Sequence, residues 1–132
     1  MPPAPPDLVI LLRLVVALAL GAAIGWEREE ARKAAGLRTH MLVALAAALF
    51  VAVGDAFVDR FAAQDAQSVL RADPVRIIEA IVTGVSFLGA GVIFVRRGRE
   101  RVIGLTTAAS LWATASLCSC GTIAACRRTP AL

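Results

Sequence analysis

The sequence predicts an all-α fold: a polytopic membrane bundle of four transmembrane helices, built from two parallel-repeat hairpins. The 132 residues are 58% hydrophobic, with a mean hydropathy of +0.74, which is far more apolar than an ordinary soluble domain. Residues 8–26, 41–58 and 77–95 each hold one charged residue, and residues 103–126 hold none. A helix crosses the hydrocarbon core with about 20 apolar residues, so each stretch can span a membrane.

A repeated pattern supports the hairpin arrangement. Residues 20–39 and 88–107, which lie 68 positions apart, share seven identical residues: Leu-Gly-Ala, one Arg and Gly-Leu-x-Thr. Each copy contains an apolar stretch, a charged connection and a second apolar stretch. A unit that recurs in this form inside hydrophobic sequence indicates two hairpins of the same orientation.

The elements follow in order. We predict spans at about 8–26, 41–58, 74–95 and 103–126, within a domain of residues 1–126 that is followed by a short tail, 127–132. The Pro-rich start is typical of an extended lead, and Arg13 argues against a cleaved signal peptide because it interrupts the apolar stretch. The second connection has the composition of a short amphipathic segment at the outer surface. Asp73-Pro74 predicts the start of the third helix.

Basic residues predict the orientation. The first and third connections hold eight Lys and Arg residues, whereas the other side holds five. Because positive residues stay cytoplasmic, the N-terminus is predicted outside, with both basic connections inside. The net charge of +4 is therefore a topology signal, and no basic face remains for binding nucleic acid.

Glycines occur at the turns and along the spans. Gly36 and Gly104 precede the two re-entering helices, where a sharp turn is needed, and Thr39 and Thr107 follow at positions suited to capping. A capped turn and a ligand site are equally compatible with this recurring Gly-Leu-x-Thr pattern. Small residues also allow close helix packing, which we predict at five glycines. These are Gly21, Gly25, Gly84, Gly89 and Gly91.

Three ionisable residues lie inside the spans at comparable depths in the outer half: Arg13, Asp55 and Glu79. One interpretation is a proton or cation site made of two acids and one base. The alternative is an interhelical ion pair, or snorkelling towards the interface, and the shallow depth favours this alternative.

Metal binding and catalysis have little support in the sequence. His40 is the single histidine, and the three cysteines, Cys118, Cys120 and Cys126, have no zinc-ligand spacing. No nucleophile–base pair is recognisable. We therefore predict no metal, no cofactor and no enzymatic activity.

Four ordered motifs resemble the MgtC/SapB family of bacterial inner-membrane proteins, over about residues 8–115. They are Gly25-Trp26-Glu27-Arg28-Glu29, Gly36-Leu37-Arg38-Thr39-His40, Gly84-Val85-Ser86-Phe87-Leu88-Gly89-Ala90-Gly91 and Gly104-Leu105-Thr106-Thr107-Ala108-Ala109-Ser110-Leu111-Trp112. Ser86 stands where the family commonly has glycine.

The resemblance implies a multi-pass protein of the bacterial inner membrane, with a periplasmic N-terminus. Family members are associated with magnesium limitation, and some with survival inside host cells. The implied role is regulation of a membrane-protein partner, such as the F-type ATP synthase, in the lipid bilayer. The polar family positions expected to serve this role are Glu27, Arg28, Arg38, Thr39 and His40.

Two alternatives stay open. One is a magnesium or proton transporter that uses the intramembrane carboxylates and, being small, works as a homo-oligomer. The other is a non-functional remnant: the family usually continues into a fifth span, whereas residues 116–132 depart from its pattern, which suggests a shortened or frameshifted product. If the chain has a specific recognition surface, we expect it in residues 27–40, because this connection contains acidic as well as basic residues.

Overall fold

The computed structural model describes residues 6–62, 74–95 and 102–126. Its elements are the helices α1 (Pro6–Glu30), α2 (Leu37–Ala62), α3 (Pro74–Val92) and α4 (Leu105–Cys126), with the short strands β1 (Phe94–Val95) and β2 (Val102–Ile103) between α3 and α4. This order confirms the all-α class and the two successive hairpins. The third helix begins at Pro74, as predicted. The N-terminal lead, most of the amphipathic segment and the tail 127–132 lie outside the described residues.

The helix ends differ from the ends of several predicted spans. α1 continues four residues past Trp26 to Glu30, and α2 starts four residues before Met41, because charged residues at a membrane surface can stay helical in water. The third span is predicted to continue to residue 95, but α3 ends at Val92. Residues 94–95 form a strand and are not helical. They form an antiparallel pair with β2, with Phe94 opposite Ile103 and Val95 opposite Val102. This pairing gives backbone groups partners where the helix has ended.

Among the described residues, three helical stretches are long and apolar enough to cross a membrane: Leu8–Glu30, Leu37–Phe57 and Val75–Val92. The fourth, α4, has 22 residues but contains seven Ser and Thr residues. Several of these hydroxyls bond to carbonyl oxygens of their own helix: Ser110 to Thr107, Thr114 to Ser110 and Ser119 to Ala115, at 2.8–2.9 Å. Such bonds lower the cost of placing a hydroxyl-rich helix in an apolar environment.

Large apolar side chains cover the outside of the bundle. Leu12, Phe50 and Phe87 are all more than half exposed. In water, a contiguous surface of this kind would promote aggregation. The same side chains are suited to contact with lipid chains, which agrees with a membrane-embedded bundle.

Small residues form the interior, where α2 and α4 meet. Ala44, Ala47, Ala48 and Ala115 are almost completely buried. The largest fully buried side chains are Leu111, His40 and Thr114. Helices can approach closely across such small residues, so backbone and short side chains provide most of the contact.

Gly21 and Gly25 set the closest approach of α1 to α2. A Cβ atom at Gly21 would lie 2.7 Å from the Ala44 Cβ atom and 2.8 Å from the His40 carbonyl oxygen, and one at Gly25 would lie 2.7 Å from the Leu37 Cα atom. The second hairpin has a looser counterpart, in which a Cβ at Gly89 would lie 3.5 Å from the Ala108 Cβ atom. Residue 108 is the repeat equivalent of residue 40, so both hairpins use the same contact.

The packing prediction is wrong for Gly84 and Gly91. A Cβ atom at either position would meet nothing within 4 Å in the described part of the chain. Both residues are exposed, because α3 packs inwards through Ile81, Val85 and Gly89, which recur every fourth residue.

Gly21→Ala should lower the free energy of unfolding by about 1–3 kcal/mol, because the added methyl group overpacks a backbone contact. Gly84→Ala adds the same group in open space and should leave stability unchanged or raise it by up to about 1 kcal/mol, the difference in helix propensity. Thermal unfolding in detergent measures both. Equal melting temperatures for the two variants would contradict the assigned contact.

Candidate functional site at the turn between the first two helices

The turn between α1 and α2 is closed by backbone bonds at the end of α1. Arg32 has a φ of 49°, in the left-handed region. Its N–H donates to the Glu29 carbonyl at 3.0 Å, and the Lys33 N–H donates to the Arg28 carbonyl at 3.0 Å. This pair of bonds is a Schellman motif, which ends the helix and reverses the chain.

Glu29 also caps the following helix. The Leu37 N–H, at the start of α2, donates to Glu29 Oε2 at 2.8 Å. A carboxylate near a helix N-terminus satisfies a free N–H and interacts favourably with the helix dipole. A Cβ at Gly36 would lie 2.9 Å from the same oxygen, so glycine leaves room for this carboxylate. The α1 side chain thereby links both sides of the turn.

The second turn uses glycine differently. Gly104 has a φ of 96°, and a Cβ there would collide with the Val92 carbonyl oxygen, so this position requires glycine. Thr107, which the sequence predicts as a cap, is the third residue of α4, and its side chain is buried.

The predicted recognition residues divide into surface and interior. Glu27, Arg38 and Thr39 are exposed. Arg28 is half-buried, and its Nε has no hydrogen-bond partner among the described residues. His40 has no exposed surface at all, so its assignment to a partner-binding surface is wrong: its side chain lies inside the bundle.

Two adjacent concavities share Glu29. One, of about 340 Å³, is lined by Trp26, Glu29, Glu30 and Leu37. The other, of about 280 Å³, is lined by Glu29, Lys33, Gly36, Arg38 and Thr39. We call the exposed side chains around Glu29 the turn surface. It comprises Trp26, Glu27, Glu29, Glu30, Lys33, Arg38 and Thr39.

The His40 ring makes hydrogen bonds to the turn before α2 and to α4. Its Nδ1 lies 2.9 Å from the Gly36 carbonyl oxygen, and its Nε2 lies 3.1 Å from Ser110 Oγ on α4. Ser110 is 7% exposed, and its hydroxyl also lies 2.8 Å from the Thr107 carbonyl oxygen. The two residues are 70 positions apart. Nothing local in the sequence marks Ser110 as the partner of His40.

The sequence did not indicate this contact between a hydroxyl and an imidazole. A serine hydroxyl within hydrogen-bond reach of an imidazole has the basic geometry of a nucleophile–base pair. Both side chains are buried, however, and a substrate would have to reach the hydroxyl through packed helices. The pair therefore does not form an open catalytic site in this structure.

The intramembrane charges form an interhelical pair, as the favoured alternative expects, and Glu79 does not join it. Arg13 Nη1 lies 3.8 Å from Asp55 Oδ2, beyond hydrogen-bond distance, and the two side chains are 10% and 36% exposed. Glu79 is exposed on α3, two residues from both Ile77 and Ile81, which belong to the inward face. A two-residue step turns a helix by about 200°, so Glu79 points away from the pair.

The cysteines are separate from these groups. Cys118 is buried, with Sγ 3.8 Å from the Ala17 carbonyl oxygen, and Cys120 is exposed. Within the described ranges, no three His, Cys, Asp or Glu side chains form a group that could hold a metal ion. The side chain of Cys126 lies outside the described part.

Comparison with known proteins decides the family. The MgtC family profile matches residues 14–127, most of the chain. The chain belongs to the MgtC family. It is 42% identical over 109 residues to the Escherichia coli K12 protein named "Putative magnesium transporter YhiD", a match covering 81% of this chain and 47% of that protein.

Two further relatives match the chain at similar identity. Protein SrpB of Synechococcus elongatus is 44% identical over 116 residues, covering 80% of this chain and 58% of SrpB. Protein MgtC of Salmonella typhimurium (strain 14028s) is 42% identical over 107 residues, covering 81% and 40%. The chain thus spans about half the length of the curated relatives that it matches. No solved structure matches it.

Glu29→Ala should lower the free energy of unfolding by about 0.5–1.5 kcal/mol, because the Leu37 N–H loses its acceptor. Glu30→Ala removes the same charge from the neighbouring exposed position and serves as the control. Amide hydrogen exchange at Leu37 should accelerate only in Glu29→Ala. Identical exchange in the two variants would show that the cap does not operate.

Proposed function

We propose that this MgtC-family protein acts by binding a membrane-protein partner through the turn surface. It would do so from the bacterial inner membrane, with its N-terminus periplasmic and the turn at the cytoplasmic face. The observation that carries the proposal is the combination of an exposed aromatic side chain, mixed charges and two shared concavities at one end of the bundle.

Trp26 is the expected anchor of this contact. Its side chain is 67% exposed, although it lies at the end of a membrane-spanning helix and lines the larger concavity. Tryptophan and arginine are enriched among the residues that dominate protein–protein binding energy. Arg38 lines the neighbouring concavity, so the surface presents both residue types within a short distance of Glu29.

The charge pattern of the turn surface favours a protein as its binding partner over lipid headgroups alone. Glu27, Glu29 and Glu30 accompany Lys33 and Arg38 on the turn surface. A purely basic surface would be suited to anionic lipids, whereas alternating signs provide complementarity to a specific protein surface.

The turn is also held in place before any partner binds. The Schellman motif and the Glu29 cap order both ends of the connection. A preorganised surface loses less conformational entropy on association. Family membership suggests a role under magnesium limitation, and the F-type ATP synthase is the first partner to test.

A photo-crosslinking amino acid at Trp26 should yield a discrete protein adduct in native membranes, because the side chain would face the partner. Arg38→Ala should reduce the adduct several-fold, by removing a predicted binding side chain. Mass spectrometry identifies the captured protein and decides whether it is an ATP synthase subunit.

Two matched controls sharpen this test. The same crosslinker at Phe87, which is 80% exposed on α3, should give lipid adducts, and Arg76→Ala, at an exposed arginine of α3, should leave the Trp26 adduct intact. The proposal fails if the Trp26 position gives no protein adduct, or if both arginine variants change it equally.

A second candidate function is cation transport through the Arg13–Asp55 pair. Arg13 Nε and Asp55 Oδ2 have no hydrogen-bond partner in the described part of the chain, which is unusual for atoms that are buried. Incompletely satisfied charges inside a span are a mark of ion or proton pathways. The E. coli relative also has a name that proposes magnesium transport.

Liposomes containing the protein and a magnesium- or proton-sensitive dye test this alternative. If the pair carries ions, Asp55→Asn should reduce the flux at least about tenfold, since it removes the carboxylate paired with Arg13. Glu79→Gln changes an exposed carboxylate on the outer face and should leave flux intact. No flux above empty liposomes would exclude transport by this chain.

A further inference from the structure

The concavity that holds both basic side chains of the turn surface has an excess of positive charge. We call it the basic concavity. It measures about 280 Å³ and is lined by Glu29, Lys33, Gly36, Arg38 and Thr39. Its lining carries two positive side chains and one negative side chain, so one net positive charge remains. A group with a single negative charge is complementary to such a lining.

The acid in this lining is already engaged. Glu29 Oε2 accepts the Leu37 N–H at 2.8 Å, so its carboxylate serves the start of α2. In the part of the chain that the structure describes, neither Lys33 nor Arg38 forms an ion pair. Both side chains are exposed. Their cationic groups are therefore available to an acid from outside the chain.

Arg38 occupies an electrostatically unfavourable place in the free protein. It is the second residue of α2, a helix of 26 residues whose first turn contains no acid of its own. The partial positive charge of a helix N-terminus repels a cation and attracts an anion. A carboxylate bound beside Arg38 would offset this repulsion and would also interact favourably with the helix dipole.

The adjoining concavity supplies apolar surface. We call it the aromatic concavity. It measures about 340 Å³ and is lined by Trp26, Glu29, Glu30 and Leu37. Pockets for small-molecule ligands commonly measure about 300–1,000 Å³, and both concavities lie near or below the lower end of that range. Each is therefore better suited to one or two side chains of a protein than to a whole small-molecule ligand.

We propose that the protein partner of the turn surface presents an acidic segment. An aspartate or glutamate carboxylate of that segment binds between Lys33 and Arg38, while a neighbouring apolar side chain packs on Trp26. This inference rests on the proposed function and adds the chemistry of the partner. A phosphate group with two negative charges would be repelled by Glu29 more strongly than a carboxylate with one, so the lining favours the carboxylate.

A zero-length crosslink can test this contact at one position, since Lys33 is the single lysine of the chain. A water-soluble carbodiimide condenses an amine with a carboxylate that touches it, and the reagent takes up the water that is lost. In native membranes, it should join Lys33 to an aspartate or glutamate of the same protein that a photo-crosslinker at Trp26 captures. Mass spectrometry of the crosslinked peptides identifies both residues and separates this amide from one at the N-terminal amine.

Three variants provide the controls. Lys33→Arg keeps the charge and removes the amine, so the amide should disappear while the Trp26 adduct remains. Lys33→Gln removes the charge and should lower the yield of the Trp26 adduct about two- to fivefold, the scale of an exposed ion pair. Arg32→Gln makes the same charge change at an exposed residue that lines neither concavity, and it should leave the Trp26 adduct unchanged.

The outcomes separate this inference from the proposed function. The absence of a protein adduct at Trp26 overturns both. A Trp26 adduct whose protein forms no amide with Lys33 leaves the partner-binding proposal standing and overturns the acidic segment. A bond from Lys33 only to Glu29 of its own chain, or only to a lipid phosphate, overturns the acidic segment as well. Equal effects of Lys33→Gln and Arg32→Gln on the Trp26 adduct would do the same.

Discussion

The close backbone approach of α1 to α2 at Gly21 and Gly25 is the constraint on which the other features depend. It places Leu37 against α1 and so brings the Glu29 carboxylate within 2.8 Å of the Leu37 N–H. It also leaves no space for water or lipid beside His40, whose backbone oxygen lies against Gly21. A methyl group at either glycine would separate the helices, and the turn and the buried histidine would lose their neighbours.

The molecule separates its polar groups by type. Charged side chains concentrate at the turn surface, where water can reach them, whereas the interior between α2 and α4 holds an imidazole and hydroxyls. Hydroxyls bonded to helix carbonyls cost little in an apolar interior, and buried unpaired charges cost much more. Arg13 and Asp55 are an exception among the described residues, and their incomplete hydrogen bonding is what supports the proposal of ion transport.

The two hairpins share a scaffold and differ in detail. In each hairpin, a glycine of the first helix packs against the second helix at an equivalent position of the repeat. Gly21 lies against His40, and Gly89 lies against Ala108. The connections diverge, since the first is a Schellman turn with Arg32 in the left-handed region and the second passes through two short strands to Gly104. Duplication thus preserved the helix contact, while the connection and the residue at the contact changed.

The sequence by itself determined the helices, their order and the start of α3 at Pro74, because hydropathy, charge and Pro placement act locally along the chain. It also marked Gly21 and Gly25 as packing positions, yet it marked Gly84 and Gly91 equally, and those face outwards. Only the tertiary structure decided which residues meet. Local patterns do not specify how each helix is rotated in the bundle. That rotation selects Asp55 over Glu79 as the neighbour of Arg13 and brings Ser110 to His40 across 70 positions.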